Sequence, residues 1–246
     1  SRNMLSPIIK TVGVVLSHTK YGDGSLIVNV FTQEMGRQAY IVSGMNGKKR
    51  KMYMPLLMPL SIVELTAYNS TRSTIHRVKE VHVHVPLVQL PFSPNKRTMA
   101  IFLTELMTKA LKESGPDERL YSFVEQSVLA LDAGMPGENM FHLFFMYNLT
   151  SLLGFGPDLT EKAEPYFNML EGSCCSRIPM HRHVLASEDK KLFVSLSELT
   201  IDTLGKVRFT REEKHRLMEM MEEYYALHIA NFGKLNSYEV LRMLNE

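Results

Sequence analysis

Tryptophan is absent from this 246-residue chain, and cysteine nearly so, since its two cysteines, Cys174 and Cys175, are adjacent. Neighbouring cysteines build no disulfide framework, which excludes the small stapled secreted folds and points to a reducing, cytoplasmic setting. Long apolar runs are missing too. The most apolar stretch, 140–155, contains His142, Asn148, Thr150 and Ser151, so it reads as a buried helix and no membrane partner is expected. No signal peptide stands out. Met4 reads as the natural start, with Ser1, Arg2 and Asn3 left over from expression. Internal repeats and low-complexity segments are lacking.

Catalytic signatures are also missing. GMNGKKRK, from Gly44 to Lys51, suggests a phosphate loop, but its glycines are too close and no Ser or Thr follows the lysines. GFGPDL starts a dinucleotide-like pattern at Gly154 and Gly156, then lacks the third glycine and runs into Pro157. There is no HExxH, no GxSxG and no distinctive carboxylate pair. The chain therefore reads as a non-enzyme.

What is present is a segregated charge. Residues 1–97 hold thirteen Lys/Arg against four Asp/Glu, and residues 98–246 hold fifteen against twenty-two, giving +9 and −7. A basic N-terminal part suits a polyanion, whereas the acidic remainder repels one or meets basic partners.

Two hydrophobic periods divide the chain in nearly the same place. Val12, Val14 and Leu16, then Leu26, Val28 and Val30, alternate with a period of two. Three more strands are expected at 37–43, 60–68 and 74–83. Five short strands in this length fit a closed barrel of the oligonucleotide-binding (OB) type, with an SH3-like barrel as the alternative, and Gly13 suits the coiling or bulge that closure demands. After Pro86, Pro91 and Pro94 the period becomes helical. Met99, Phe102, Leu103, Leu106 and Met107 form one face, Asp117 can cap a second helix that stops at Gly134, and a third runs from near Asn139 to Leu153. Thr210 and Glu213 form a capping box for a helix reaching about Ala230, and Ser237 can start a short last one. Between Gly154 and Lys191 periodicity fails, leaving either an irregular subdomain or a long loop. The expected fold is α+β: an OB-type barrel over residues 1–85, then a mainly helical domain over 86–246 with an irregular insert at about 155–191.

The informative motif is the expected loop between the third and fourth strands, where Lys48, Lys49, Arg50 and Lys51 are consecutive and Tyr53 follows closely. Four adjacent cations repel one another unless an anion neutralises them. Phosphates do so, and counterion release then gives affinity without sequence preference. Lys20, Arg37, Arg72, Arg77 and Lys79 fall on neighbouring strands and turns, with Tyr21, Tyr40 and Tyr53 interleaved. The set describes a groove that follows a nucleic-acid backbone and stacks bases. The plainer alternative is a solvated loop over core tyrosines. An RNA-binding barrel and a scaffold meeting acidic proteins also remain open.

Cys174, Cys175, His181 and His183 form the only candidate metal group. Structural zinc sites space their ligands by two to four residues so that the chain can wrap the ion, and vicinal cysteines do this poorly. No zinc or other cofactor is expected. The seventeen methionines read as adaptable core filler.

Five segments in order are similar to the bacterial recombination-mediator RecO family: TVGVVLSHTKYGDGSLIVNVFTQEMGR (Thr11–Arg37), the basic run after Gly44, LLMPLSIVEL (Leu56–Leu65), LLGFGPDL (Leu152–Leu159) and KLNSYEVLRML (Lys234–Leu244). The resemblance implies an N-terminal OB-fold and a helical domain with a zinc-finger-like insert. It further implies binding of single- and double-stranded DNA, strand annealing, engagement of RecR and the single-strand-binding protein, indirect cooperation with RecA, and a bacterial, nucleoid-associated location. The chain departs from the family at the zinc. Many members carry four cysteines after GFGPDL, whereas Thr160–Pro165 stands where the first pair belongs. Cys174 and Cys175 would be remnants of the second pair, and the insert is expected to be degenerate.

Overall fold

Alternating apolar residues make β1 (Ile8–Lys20), and its register with β2 (Leu26–Thr32) steps from Val15↔Val30 to Ser17↔Asn29. Leu16 is the extra residue of this bulge, which lets Val15 and Leu16 both be buried. Gly13 answers a close approach instead: a Cβ there would stand 2.5 Å from Val30 Cγ1 and 2.9 Å from the Phe31 carbonyl oxygen. The computed structural model describes residues 7–70 and 72–245. Met4 and the three residues before it lie outside them.

β3 (Gly36–Val42), β4 (Ile62–Tyr68) and β5 (Ile75–Val85) complete a closed barrel of order β1-β2-β3-β5-β4. All its pairings are antiparallel except β3 with β5, which run parallel through Ala39↔Ile75 and Ile41↔Arg77. This is the OB arrangement, and the SH3-like alternative falls away. Val28, Val30, Tyr40, Val63, Leu65 and Val81 fill the interior.

The basic run is not the expected loop. Gly44 and Gly47 take positive φ of 67° and 53°, and the chain then winds into α1 (Gly47–Tyr53) and a 3₁₀ turn. Lys and Arg are good helix formers, no breaker interrupts them, and Arg50 and Lys51 in the last turn complement the helix dipole. The amphipathic cue was one turn long: Tyr53 and Leu57 enter the barrel core while Lys48, Arg50 and Lys51 face out.

Packing divides the chain into two compact units, up to Asp132 and from Ala133 onward, so the cut differs from the secondary-structure change near residue 85. In the first unit α2 (Pro94–Ala110) begins earlier than its apolar face suggests, because Pro94 occupies the first turn and the Ser93 side chain accepts from the Lys96 N–H. In α3 (Glu118–Ala133), Tyr121 meets Phe31 of the barrel at 5.9 Å between ring centroids. Asp132 near its end accepts from the N–H groups of Val88, Gln89 and Leu90 at 2.9, 2.9 and 2.7 Å. Burial opposes ionisation, but these donors and Lys96 outweigh it and hold the carboxyl below its usual range.

In the second unit α4 (Phe141–Leu152) is buried on nearly all sides and packs on α6 (Arg211–His228). The Tyr225 hydroxyl donates to the Met146 carbonyl at 2.6 Å, and the expected Thr210–Glu213 capping box is present. A short α7 (Tyr238–Arg242) follows Ser237. The aperiodic insert is a subdomain rather than a loop: β6 (Tyr166–Asn168), β7 (Ser173–Cys175) and β8 (Val184–Ala186) form a sheet of order β7-β6-β8, leading into α5 (Ser187–Ser195). Three-residue strands are too short to show a period. Phe167 packs on Phe193 at 4.9 Å, and Phe193 meets Tyr224 edge-on at 5.7 Å.

Candidate nucleic-acid interface

Lys48, Arg50 and Lys51 project from α1 into solvent. The β1–β2 turn lies alongside, since the Met45 N–H donates to the Gly24 carbonyl at 2.7 Å, just before α1 begins. That turn brings Lys20 and Tyr21 to the same region, with Tyr21 55% exposed. Arg72 stands exposed in the β4–β5 turn, and Arg77 and Lys79 on the outer surface of β5, on either side of the inward Val78. None of these seven cations has an ion-pair partner among the described residues. Unpaired cations around an OB-type barrel, where the strand 2–3 face and adjoining turns take oligonucleotides, can neutralise a run of phosphates.

Four other candidates have different positions. Arg37 donates to the Thr108 carbonyl at 2.7 Å, and burial holds its guanidinium below the usual value. Lys49 donates to the Ser43 carbonyl at 2.5 Å and lies 5.5 Å from the Tyr53 ring centroid. Tyr40, 1% exposed, points inward opposite Val28, and Tyr53 is likewise buried, so neither offers a face to a base. The expectation that they stack bases is corrected, because strand alternation turns Tyr40 inward and the helix turns Tyr53 into the core. Tyr21 is the exposed ring. Lys10, exposed on β1, was not among the candidates, although its place between the buried Thr11 and the half-buried Ile9 in an alternating strand marks it as outward.

The metal candidates are engaged elsewhere. Cys174 and Cys175 are consecutive on β7 and face opposite sides; Cys174 is buried, which raises its thiol pKa, and the Cys175 thiol donates to the Arg177 carbonyl at 3.2 Å. His181 pairs with Asn168 at 3.0 Å and His183 with Glu223 at 2.8 Å. Among the described residues no three His, Cys, Asp or Glu side chains come together to hold a metal ion. These residues do not fit the zinc of the family's finger.

Fold and surface define a protein built on an oligonucleotide-binding barrel with a basic rim, joined to a largely helical part; among the described residues no helix is long and apolar enough to cross a membrane. Residues 4–86 match the family description Recombination protein O N terminal, and residues 91–239 match Recombination protein O C terminal. The chain is 32% identical over 235 residues to the DNA repair protein RecO of Azobacteroides pseudotrichonymphae genomovar. CFP2, a match covering 95% of this chain and 98% of that protein. It is 33% identical over 236 residues to the DNA repair protein RecO of Phocaeicola vulgatus (96% and 98% covered), and 31% over 237 residues to that of Bacteroides fragilis strain YCH46 (96% and 98%). The chain belongs to the RecO family of DNA repair and recombination proteins.

Proposed function

We propose that this protein is a non-catalytic recombination mediator. It binds single- and double-stranded DNA on the basic rim of the barrel, anneals complementary strands, and acts with RecR and the single-strand-binding protein to load the recombinase RecA, in the nucleoid-containing cytoplasm. The observation that carries this reading is the set of exposed cations around α1 and β5 that have no acidic partner among the described residues. Such cations exchange condensed counterions for phosphates without regard to sequence, which a mediator acting anywhere on a chromosome requires.

Engagement of the single-strand-binding protein through a short acidic, apolar tail is supported by a cavity in the first unit. A cavity of about 540 Å³ there is walled by Met58, Leu87, Leu90, Pro91 and Ile101 and includes Arg97, whose guanidinium has no ion-pair partner among the described residues. An apolar floor with a single cation suits a short peptide ending in a carboxylate.

The test is annealing of complementary oligonucleotides coated with single-strand-binding protein. The protein should accelerate annealing, and more weakly as salt rises. Failure to bind either DNA form at low salt, or a strong preference for matched RNA, would refute the reading.

A further inference from the structure

From Gly172 to Ser187 the sequence holds Arg177, Arg182, His181 and His183 and no Asp or Glu, within the otherwise acidic C-terminal part of the chain. In space this is the edge of the three-stranded sheet. β7 and β8 flank β6 and both run antiparallel to it, so the chain between them must cross over.

The crossing segment is pinned at both ends. On one side the Cys175 thiol holds the Arg177 carbonyl. On the other, Asn168 Oδ1 accepts from the N–H groups of Leu170 and Glu171, both at 3.1 Å, and from His181 at 3.0 Å. An acceptor shared in this way makes His181 Nε2 the donor and leaves Nδ1 to accept from the His183 N–H at 3.0 Å. The His183 carbonyl in turn takes the Met169 N–H at 3.0 Å.

Between the pins stand Ile178, Pro179 and Met180, with Ile178 66% and Met180 106% exposed. Pro179 stiffens the tip further. Arg177 and Arg182 bracket it, exposed, and neither guanidinium has a hydrogen-bond or ion-pair partner among the described residues. Apolar side chains held rigidly in water between two bare cations cost the free protein stability and gain nothing within it.

Size and charge select the ligand. A stable protein interface takes roughly 800 Å² from each partner, far more than this tip offers. A DNA wedge needs one or two side chains, commonly Ile, Met or Pro, pushed between base pairs, with cations on the adjoining phosphates. We propose that Ile178, Pro179 and Met180 form a wedge that enters a base step of duplex DNA, with Arg177 and Arg182 on the flanking phosphates. This rests on the reading of the chain as a DNA-binding mediator and gives it a second point of attachment, separate from the barrel, that unstacks a duplex.

The test uses the full-length protein and a duplex carrying 2-aminopurine at internal steps, whose fluorescence rises on unstacking. Saturation with the wild type should raise the signal. I178S/M180S should bind and leave the signal at that of free duplex, whereas R177Q/R182Q should weaken duplex binding and flatten its salt dependence by roughly 0.9 for each phosphate the arginines no longer neutralise. Circular dichroism melts confirm folding, and M180S alone carries the comparison if the double variant melts early, because that side chain is fully exposed. A rise that persists in I178S/M180S, a wild type that binds without any rise, or a tip that engages only anionic vesicles overturns the wedge and leaves the mediator reading standing. A wild type that binds no DNA overturns both.

Discussion

Lys49 and Tyr53 are one helical turn apart on α1, and the lysine ammonium lies 5.5 Å from the centre of the tyrosine ring while donating to the Ser43 carbonyl. The basic run is therefore two kinds of residue: Lys49 ties α1 to the barrel, and Lys48, Arg50 and Lys51 face water.

The two kinds are expected to separate on mutation. K49A should lower stability by about 0.5–1 kcal/mol by removing the cation from the tyrosine ring alone, with a small effect on DNA affinity. K48A/R50A/K51A should melt like the wild type and weaken DNA binding at all sequences, its salt slope shallower by roughly 0.7–0.9 for each phosphate left without its cation. Thermal melts and salt-titrated anisotropy measure both. An unchanged slope in the folded triple variant would move the DNA site elsewhere.

Tyrosines on the barrel should divide in the same way. The Tyr40 hydroxyl is buried without a hydrogen-bond partner among the described residues, and burial pushes its pKa up. Y40F should be as stable as the wild type or more so, because an unsatisfied buried hydroxyl costs about 1–3 kcal/mol, and its DNA affinity should not change. Y21A should keep its stability and, if a base stacks there, lose about 1–3 kcal/mol of single-strand affinity with the salt slope intact. Loss of DNA affinity in Y40F without loss of fold would contradict the inward placement.

Acid should act through His142. The ring is buried in α4, and burial, with Lys214 nearby, lowers its pKa from 6.5 to about 3. The unfolded chain takes up a proton near its ordinary value while the folded one does not, so stability present above that value falls as pH drops toward the folded value. H142F should lose less stability than the wild type between pH 7 and pH 4 in urea titrations. Parallel losses would remove His142 as the cause.

Chelation should do nothing to the fold. With Cys174 and Cys175 on opposite faces and both histidines engaged, metal analysis should find no stoichiometric zinc, and melting should be the same with and without chelator. One tightly held equivalent of zinc would reverse this assignment.

The barrel is expected to need its helices. Residues 1–85 alone lack Tyr121, which covers Phe31, whereas residues 1–132 keep Tyr121 and hold the segment after the barrel in place through the Asp132 cap on Val88–Leu90. The longer fragment should unfold cooperatively and the shorter should not. Equal, sharp transitions would support a self-sufficient barrel ending near residue 85.

Much of the fold was readable because long periodic elements advertise themselves. The alternation through Val28 and Val30 and the capping box at Thr210 and Glu213 both stand where the residues put them. Short elements did not: α1 is two turns long, and β6, β7 and β8 have three residues each, less than the span over which a period can be counted. At the site, charge type was legible and direction was not. Nothing in the residue type distinguishes Lys49 from Lys48, or Tyr40 from Tyr21, until alternation and helix phase say which way each side chain points.

The position of β1 also orders the making of the protein. Val14 pairs with Phe31 on one side and with Ile62 on the other, and β3 gains its second neighbour only when β5 arrives. On a ribosome the first three strands can meander together early, but the seam cannot close until β5 has emerged. Until then the growing chain displays an apolar sheet, two open strand edges and a cluster of like charges. Closure depends on pairings far apart in sequence, the slow kind. Folding of this unit is thereby exposed to aggregation during synthesis, and the lysines and arginine of α1, mutually repelling, help keep one nascent chain from another.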